Sequence, residues 1–187
     1  MTVEELAKII NKRYGKKIIA RGDEKLPNPR YKVLKKIDLL NNDIAVVIDG
    51  EFTNYMTLEE LNERFSEYKT FEIFQFSYKY NKWLSKQAVR NTMRHDKGIN
   101  KACSYYQVPL RLYGKAASIP LHRFIYVWFK GEIKPYNDQG ELCDICHIDR
   151  NSANNHISNL KYDTRKNNLA ERDGAVNQYG LRKKDRK

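Results

Sequence analysis

Long apolar runs are missing from this chain, and so are cysteines in the number and spacing that a disulfide framework needs. No stretch approaches the roughly 20 apolar residues that span a bilayer, and the opening Met1-Thr2-Val3-Glu4-Glu5-Leu6 lacks the apolar core of a secretory leader. Three cysteines, Cys103, Cys143 and Cys146, make an odd count and read as reduced thiols. The expectation is a cytoplasmic protein without a membrane segment. Cys143-x-x-Cys146 has zinc-knuckle spacing, but no second Cys-x-x-Cys exists to close a four-ligand site, so His156 and Cys103 would have to complete it. Taken alone, Cys103 is most simply a core thiol.

Acidic residues are also scarce: 23 Asp+Glu stand against 35 Lys+Arg, a formal net charge of +12. Residues 1–86 hold 16 basic and 13 acidic side chains, and residues 87–187 hold 19 and 10, so the excess belongs mainly to the second half. Such a field favours a polyanionic partner, duplex DNA for example, through counterion release, and it carries no sequence preference. A basic protein with no specific nucleic-acid site, or a ribosome-associated one, has the same balance. At 187 residues, 41% hydrophobic and 12% aromatic, the chain has material for one compact domain or two small ones.

Local patterns predict mixed structure. Thr2-Val3-Glu4-Glu5 is a capping box ahead of Leu6, Ile9 and Ile10, which predicts a helix ending near Tyr14-Gly15; Lys17 to Ala20 suits a short strand, and Pro27-Asn28-Pro29 breaks any regular element. Ile44 to Ile48 is a β-branched run closed by Asp49-Gly50. Met56-Thr57-Leu58-Glu59-Glu60 repeats the capping box and starts a second helix, expected to run to about Tyr68, and Phe71 to Tyr78 is an aromatic strand. Residues 80–104 are basic and polar with scattered apolar side chains, which predicts one or two helices. On a helix, Arg90, Arg94, Lys97 and Lys101 form a basic stripe, read either as a solvated face or as phosphate contacts. Val108 to Ile119 reads as a hairpin about Gly114-Lys115, and Leu121 to Phe129 as an apolar helix closed by Lys130-Gly131, with His122 packing structurally. The tail Gly180 to Lys187 is a basic cluster, a mobile arm on phosphates or a solvated terminus.

The most informative segment is Cys143-Asp144-Ile145-Cys146-His147-Ile148-Asp149, then Asn154-Asn155, Asn159-Leu160-Lys161-Tyr162 and Asn167-Asn168. It reads as strand, polar loop, strand and helix, with Thr164 as N-cap of the helix. Asn167 and Asn168 point about 100° apart on that helix, so only one can face the histidine. Asp149, Asn154 and Asn155 suit a tight loop, where Asx side chains cap backbone N–H groups.

These residues resemble the HNH endonuclease family, whose ββα-metal unit cuts phosphodiester bonds with one divalent metal and one histidine base. The His122-Arg123 helix and its Gly131-Glu132-Ile133 exit are similar to family members too, so the resemblance covers about residues 105–175. It implies a phage-borne or free-standing homing type of enzyme acting on DNA, with His147 as general base and Asn168 selected by spacing as the metal ligand. Asn159, grouped with His147 in the catalytic set, would tie the loop through its amide and orient the histidine region. Arg172, one turn beyond Asn168, together with Arg165, Lys166, Arg90 and Arg94, forms the implied nucleic-acid contact set.

The chemistry suits these residue types. A histidine near its ordinary pKa of ~6.5 is neutral enough to take a proton from water, and a divalent metal stabilises the phosphorane and the leaving oxygen. Cys146 departs from the family pattern, in which Asp or Asn at that position is a second metal ligand. Three readings follow. Cys146 is a buried residue and the metal has fewer protein ligands; or it binds a softer ion such as Zn²⁺ as thiolate; or catalysis is weakened and the domain binds DNA without cutting. Mg²⁺ is the first choice of cofactor, with Mn²⁺ or Zn²⁺ behind it, and an RNA substrate is compatible with the same charge and motif. The fold expectation is α+β: an N-terminal module over residues 1–80, a basic helical connector over 81–104, the ββα unit preceded by a hairpin and helix over 105–175, and a basic tail over 176–187.

Overall fold

The structure, a computed structural model, describes residues 34–91 and 105–178. The expected helix and strand before residue 21, the Pro27-Asn28-Pro29 break, Arg94, Lys97, Lys101, Cys103 and the basic tail from Gly180 lie outside the described residues.

The architecture is α+β. Strand β1 (Leu34–Lys35) leads into helix α1 (Lys36–Asn41), followed by β2 (Ile44–Ile48), β3 (Glu51–Phe52), α2 (Leu58–Arg64), β4 (Phe71–Ser77), β5 (Lys82–Ser85) and β6 (Val89–Asn91). Then come β7 (Tyr105–Leu112), β8 (Lys115–Pro120), α3 (Leu121–Lys130), β9 (Glu132–Ile133), β10 (Cys143–His147), a 3-10 turn (Ile157–Asn159), β11 (Leu160–Thr164) and α4 (Arg165–Gln178). The strands form antiparallel sheets in the orders β3-β2-β4-β5, β6-β7-β8, β1-β9 and β10-β11.

Strand β2 is buried on both faces, as its unbroken apolar sequence predicts. Ile44, Val46 and Ile48 enter the main core, while Ala45 and Val47 join Phe52 and Trp83 in a smaller cluster behind the sheet. Where β3 stops short of covering β2, Asn54 takes its place. Its Oδ1 accepts from the Val46 N–H at 2.9 Å and its Nδ2 donates to the Ile44 carbonyl at 2.7 Å, which satisfies a buried strand edge. The capping box at α2 forms as expected, with Glu60 N–H donating to Thr57 Oγ1 and Thr57 N–H to Glu60 Oε2. The helix ends at Arg64, earlier than expected, and Tyr68 instead stacks between Phe129 and His156.

Helix α3 lies at the centre. Phe124, Trp128 and Phe129 are fully buried, and the Trp128 indole donates to Thr53 Oγ1 at 3.0 Å. Gly131 ends it at φ +91°, where a Cβ would stand 3.0 Å from Leu58, so both backbone and packing call for glycine. The main cluster takes in side chains from both sides of residue 80, from Leu34 to Ile73 and from Val108 to Leu160.

The predicted helical connector is corrected in its described part. Residues 82–85 pair with Phe74–Ser77, and residues 89–91 pair with Tyr105–Gln107, as strands. Pairing along the otherwise unpaired edges of β4 and β7 overrides the weak helical pattern, and Trp83 is buried against Phe52 and Val47 in the smaller cluster. Arg90 therefore stands on β6 and does not belong to a helical stripe.

Gln75 fastens the two larger sheets together. Its Oε1 accepts from the Arg111 N–H at 2.9 Å, and its Nε2 donates to the Arg111 carbonyl at 2.6 Å and the Asn42 carbonyl at 3.2 Å. Gln75→Ala strands these backbone groups in a largely buried seam and should cost about 2–3 kcal/mol, read in urea unfolding as a lower midpoint at unchanged slope.

Candidate functional site

Strands β10 and β11 pair over their whole length, from Cys143 opposite Thr164 to His147 opposite Leu160. Residues directly opposite share a face, so Cys143, Ile145, His147, Leu160 and Tyr162 lie on one side and Asp144, Cys146, Lys161 and Asp163 on the other. Helix α4 follows directly. Thr164 is its N-cap as predicted, its Oγ1 accepting from the Asn167 N–H at 3.1 Å. The strand, loop, strand and helix order expected from the sequence is present.

The loop between the strands is built from amides. Asn159, 8% exposed, accepts from the Asp149 N–H at 2.9 Å through Oδ1, while its Nδ2 donates to Asp149 Oδ1 and to the Asn154 carbonyl, both at 2.8 Å. Both Nδ2 protons and one lone pair of Oδ1 are spent on the loop, so its amide acts as a tie. Asp149 also accepts from Asn154 Nδ2 and the Asn151 N–H. These hydrogen bonds, Asn154's first, hold its carboxyl below the usual carboxylate range.

His147 ends β10, half-buried, with Nε2 3.0 Å from Asn155 Oδ1. The orientation of Asn155 is fixed by its other end, because Nδ2 faces the carbonyls of Ala153 at 3.2 Å and Ser152 at 3.4 Å. Only an acceptor then faces the ring, so Nε2 carries the proton and Nδ1 holds the lone pair. Asn155 is an orienting residue that the sequence presented only as part of a polar loop.

Two further rings reach His147 from outside the hairpin. His122, on α3, lies with its ring centroid 5.0 Å away, and Tyr105, on β7, lies 6.1 Å away and nearly parallel at 17°. Arg123, next along α3, donates to Asp144 Oδ1 at 2.7 Å, a pair only 12% and 26% exposed.

Cys146 is 5% exposed, and burial, with Asp144 and Asp163 nearby, pushes its thiol up to about 11. It is a protonated thiol at neutral pH, which favours the reading as a buried packing residue over that of a soft-metal ligand. The geometry does not favour a zinc knuckle either: Cys143 and Cys146 point to opposite faces of β10, and His156 is engaged with Ser158 and the Tyr68 carbonyl. Among the described residues no three His, Cys, Asp or Glu side chains are grouped to hold a metal.

Asn167 donates to Asp163 Oδ1 at 3.0 Å, while Asn168, half-buried, makes no hydrogen bond among the described residues. The two amides thus differ as their angular separation requires. Arg165 and Lys166 are exposed at the start of α4, and Arg172 lies on the same helix. Arg90 is exposed opposite Tyr106, which places it on the other face of the sheet from Tyr105. Arg94 and the side chain of Arg172 lie outside what is described.

Comparisons with protein-family models, curated proteins and solved structures find no match for this chain.

The hydrogen-bond pattern fixes a checkable state. Long-range ¹H–¹⁵N spectra above pH 8 should show His147 as the Nε2–H tautomer, and Asn155→Ala should move it to a mixture of both. A mixed tautomer already in the parent protein would exclude the orienting role of Asn155.

Proposed function

We propose that this protein is a metal-dependent endonuclease that hydrolyses phosphodiester bonds of DNA, with His147 as general base. The observation that carries this reading is the ring of His147, held by Asn155 so that Nδ1 is left as acceptor at the mouth of a hairpin whose following helix bears Asn168. The likeness of these residues to the HNH pattern supports it, as does the net charge of +12, which draws a polyanion.

In this mechanism Nδ1 of His147 removes a proton from water as the water oxygen bonds to phosphorus, the P–O bond to the leaving nucleotide oxygen breaks, that oxygen takes a proton from solvent, and Asn155 keeps the ring aligned while the imidazolium exists. Asn168 is the residue fitted to hold a divalent cation. Its amide oxygen is a hard donor without a competing hydrogen bond among the described residues, and it suits Mg²⁺ or Mn²⁺ that keeps waters and phosphate oxygens for the rest of its sphere. The metal, when bound, stabilises the charge that develops on the phosphate and leaving oxygens. In this reading Cys146, 5% exposed on the opposite face of β10 from His147, serves as a packing residue. Arg165 and Lys166 contact phosphates flanking the cut.

Supercoiled plasmid incubated with Mg²⁺ or Mn²⁺ should be nicked or linearised, with His147→Ala slower by about 10²–10⁴-fold and Asn168→Ala requiring more metal. Equal cleavage by parent protein and His147→Ala would remove His147 from the mechanism. DNA binding without cleavage in any metal would favour a non-catalytic binding protein, and a structured RNA run alongside decides the substrate. Cys146→Ala should keep the Mg²⁺-supported rate within about threefold, whereas loss of a true ligand costs about 10–100-fold in metal affinity or activity.

A further inference from the structure

Helix α3 is apolar on its buried side with one exception. His122 is 5% exposed and belongs to the same buried set as Phe124, Ile125, Val127, Trp128 and Phe129, and its Nδ1 has no hydrogen-bond partner among the described residues. Burial first, then the neighbouring His147 and Arg123, hold its pKa down to about 3, so the ring is neutral wherever the protein works. A buried imidazole with an idle nitrogen costs stability that a phenyl or isobutyl group in the same space does not.

The ring is not idle in its contacts. Its centroid lies 5.0 Å from that of His147 and 5.1 Å from that of Tyr105, so three rings from α3, β10 and β7 pack together. On the far side, Asn155 holds Nε2 of His147 at 3.0 Å. The base is thus gripped by an amide at one edge and by two rings against its body, and the one titratable side chain in the buried set of α3 is among them.

We propose that His122 is a positioning residue for His147: its buried, neutral ring sets the plane of the base and gives the imidazolium formed on proton transfer a polar neighbour in place of hydrocarbon. The catalytic part of this inference rests on the reading of His147 as general base. The positioning part is a property of the protein without substrate. His122 itself touches neither the water nor the phosphate, and the proton goes from water to Nδ1 of His147.

The test uses the full chain with His122→Phe, which keeps a ring and removes its polarity, and His122→Gln, which keeps a polar group and removes the ring. Urea unfolding, single-turnover nicking, half-saturating DNA concentration and His147 ring signals in ¹H–¹⁵N spectra are measured for both beside the parent protein. His122→Phe should be at least as stable as the parent and bind DNA unchanged, yet nick about tenfold slower or more. His122→Gln should recover part of that rate, and the His147 ring signals should broaden or mix tautomers in the phenylalanine variant. Nicking by His122→Phe within twofold of the parent, or a rate that falls in both variants only as stability falls, overturns the proposal. If the parent nicks nothing in any metal, the nuclease reading fails separately. The spectra then decide: altered His147 signals in His122→Phe sustain positioning, and unchanged ones overturn it.

Discussion

Helix α3 cannot turn about its axis without exposing Phe124, Trp128 and Phe129, and that restraint sets most of the molecule. Burial of each phenylalanine alone is worth about 1.5–3 kcal/mol, and polar contacts add direction to the packing. The Trp128 indole is fixed on Thr53, whose hydroxyl in turn donates to the Val46 carbonyl of β2, and the Phe129 carbonyl accepts from Asn62 of α2. With the helix locked at its C-terminal end against the first half of the chain, the side chains of its first turn have a set direction. His122 meets His147, and Arg123 meets Asp144. The candidate site is thus held by residues distant from it in sequence, and the hairpin cannot be separated from the core beneath it.

Within the hairpin, specificity comes from using up hydrogen-bonding capacity. Asn159, Asp149, Asn154 and Asn151 satisfy one another and the loop backbone, which is why a turn with little regular structure keeps its shape. Amides suit this because each offers donors and an acceptor, whereas a carboxylate in every place would repel its neighbours. Once these bonds are counted, Nδ1 of His147 and the amide of Asn168 stand out as groups without a partner among the described residues.

Much of this was legible in the sequence because it is local. The capping box at Thr57, the turn at Gly114, the N-cap at Thr164 and the apolar run of α3 each follow from residues within a few positions of one another. The same local logic failed at Lys82 and Arg90, where strand structure depends on partners in β4 and β7 that no short window contains. The site divides in the same way. The loop-tying hydrogen bonds of Asn159 were expected from its place in the sequence, but the grip of Asn155 on His147 depends on which end of its amide faces the ring, and His122 and Tyr105 reach His147 only through the fold. The burial of Cys146, which decides between thiol and thiolate, is likewise a property of packing.

Carboxylates that face one another across two strands need a local answer, and the hairpin supplies one. Asp144 and Asp163 are directly opposed across β10 and β11, so their side chains share a face. Unpaired, they would repel each other and any phosphate brought near. Arg123 takes Asp144, and Lys161 is shared between Asp163 at 3.0 Å and Glu171 at 2.6 Å. Burial works to raise the Asp163 pKa, but Lys161, Asn167 and its hydrogen-bonded backbone outweigh it and hold the carboxyl ionised. The acids are thereby spent on holding β10, β11, α3 and α4 together, while Arg165 and Lys166 remain exposed with no salt bridge among the described residues. Of these pairs Arg123 with Asp144 is the most shielded from solvent, so it is the one whose loss would leave an uncompensated charge closest to the hairpin's interior. The charge balance of the hairpin thus depends on an ion pair contributed by the central helix, whose neighbouring residue His122 also packs against His147.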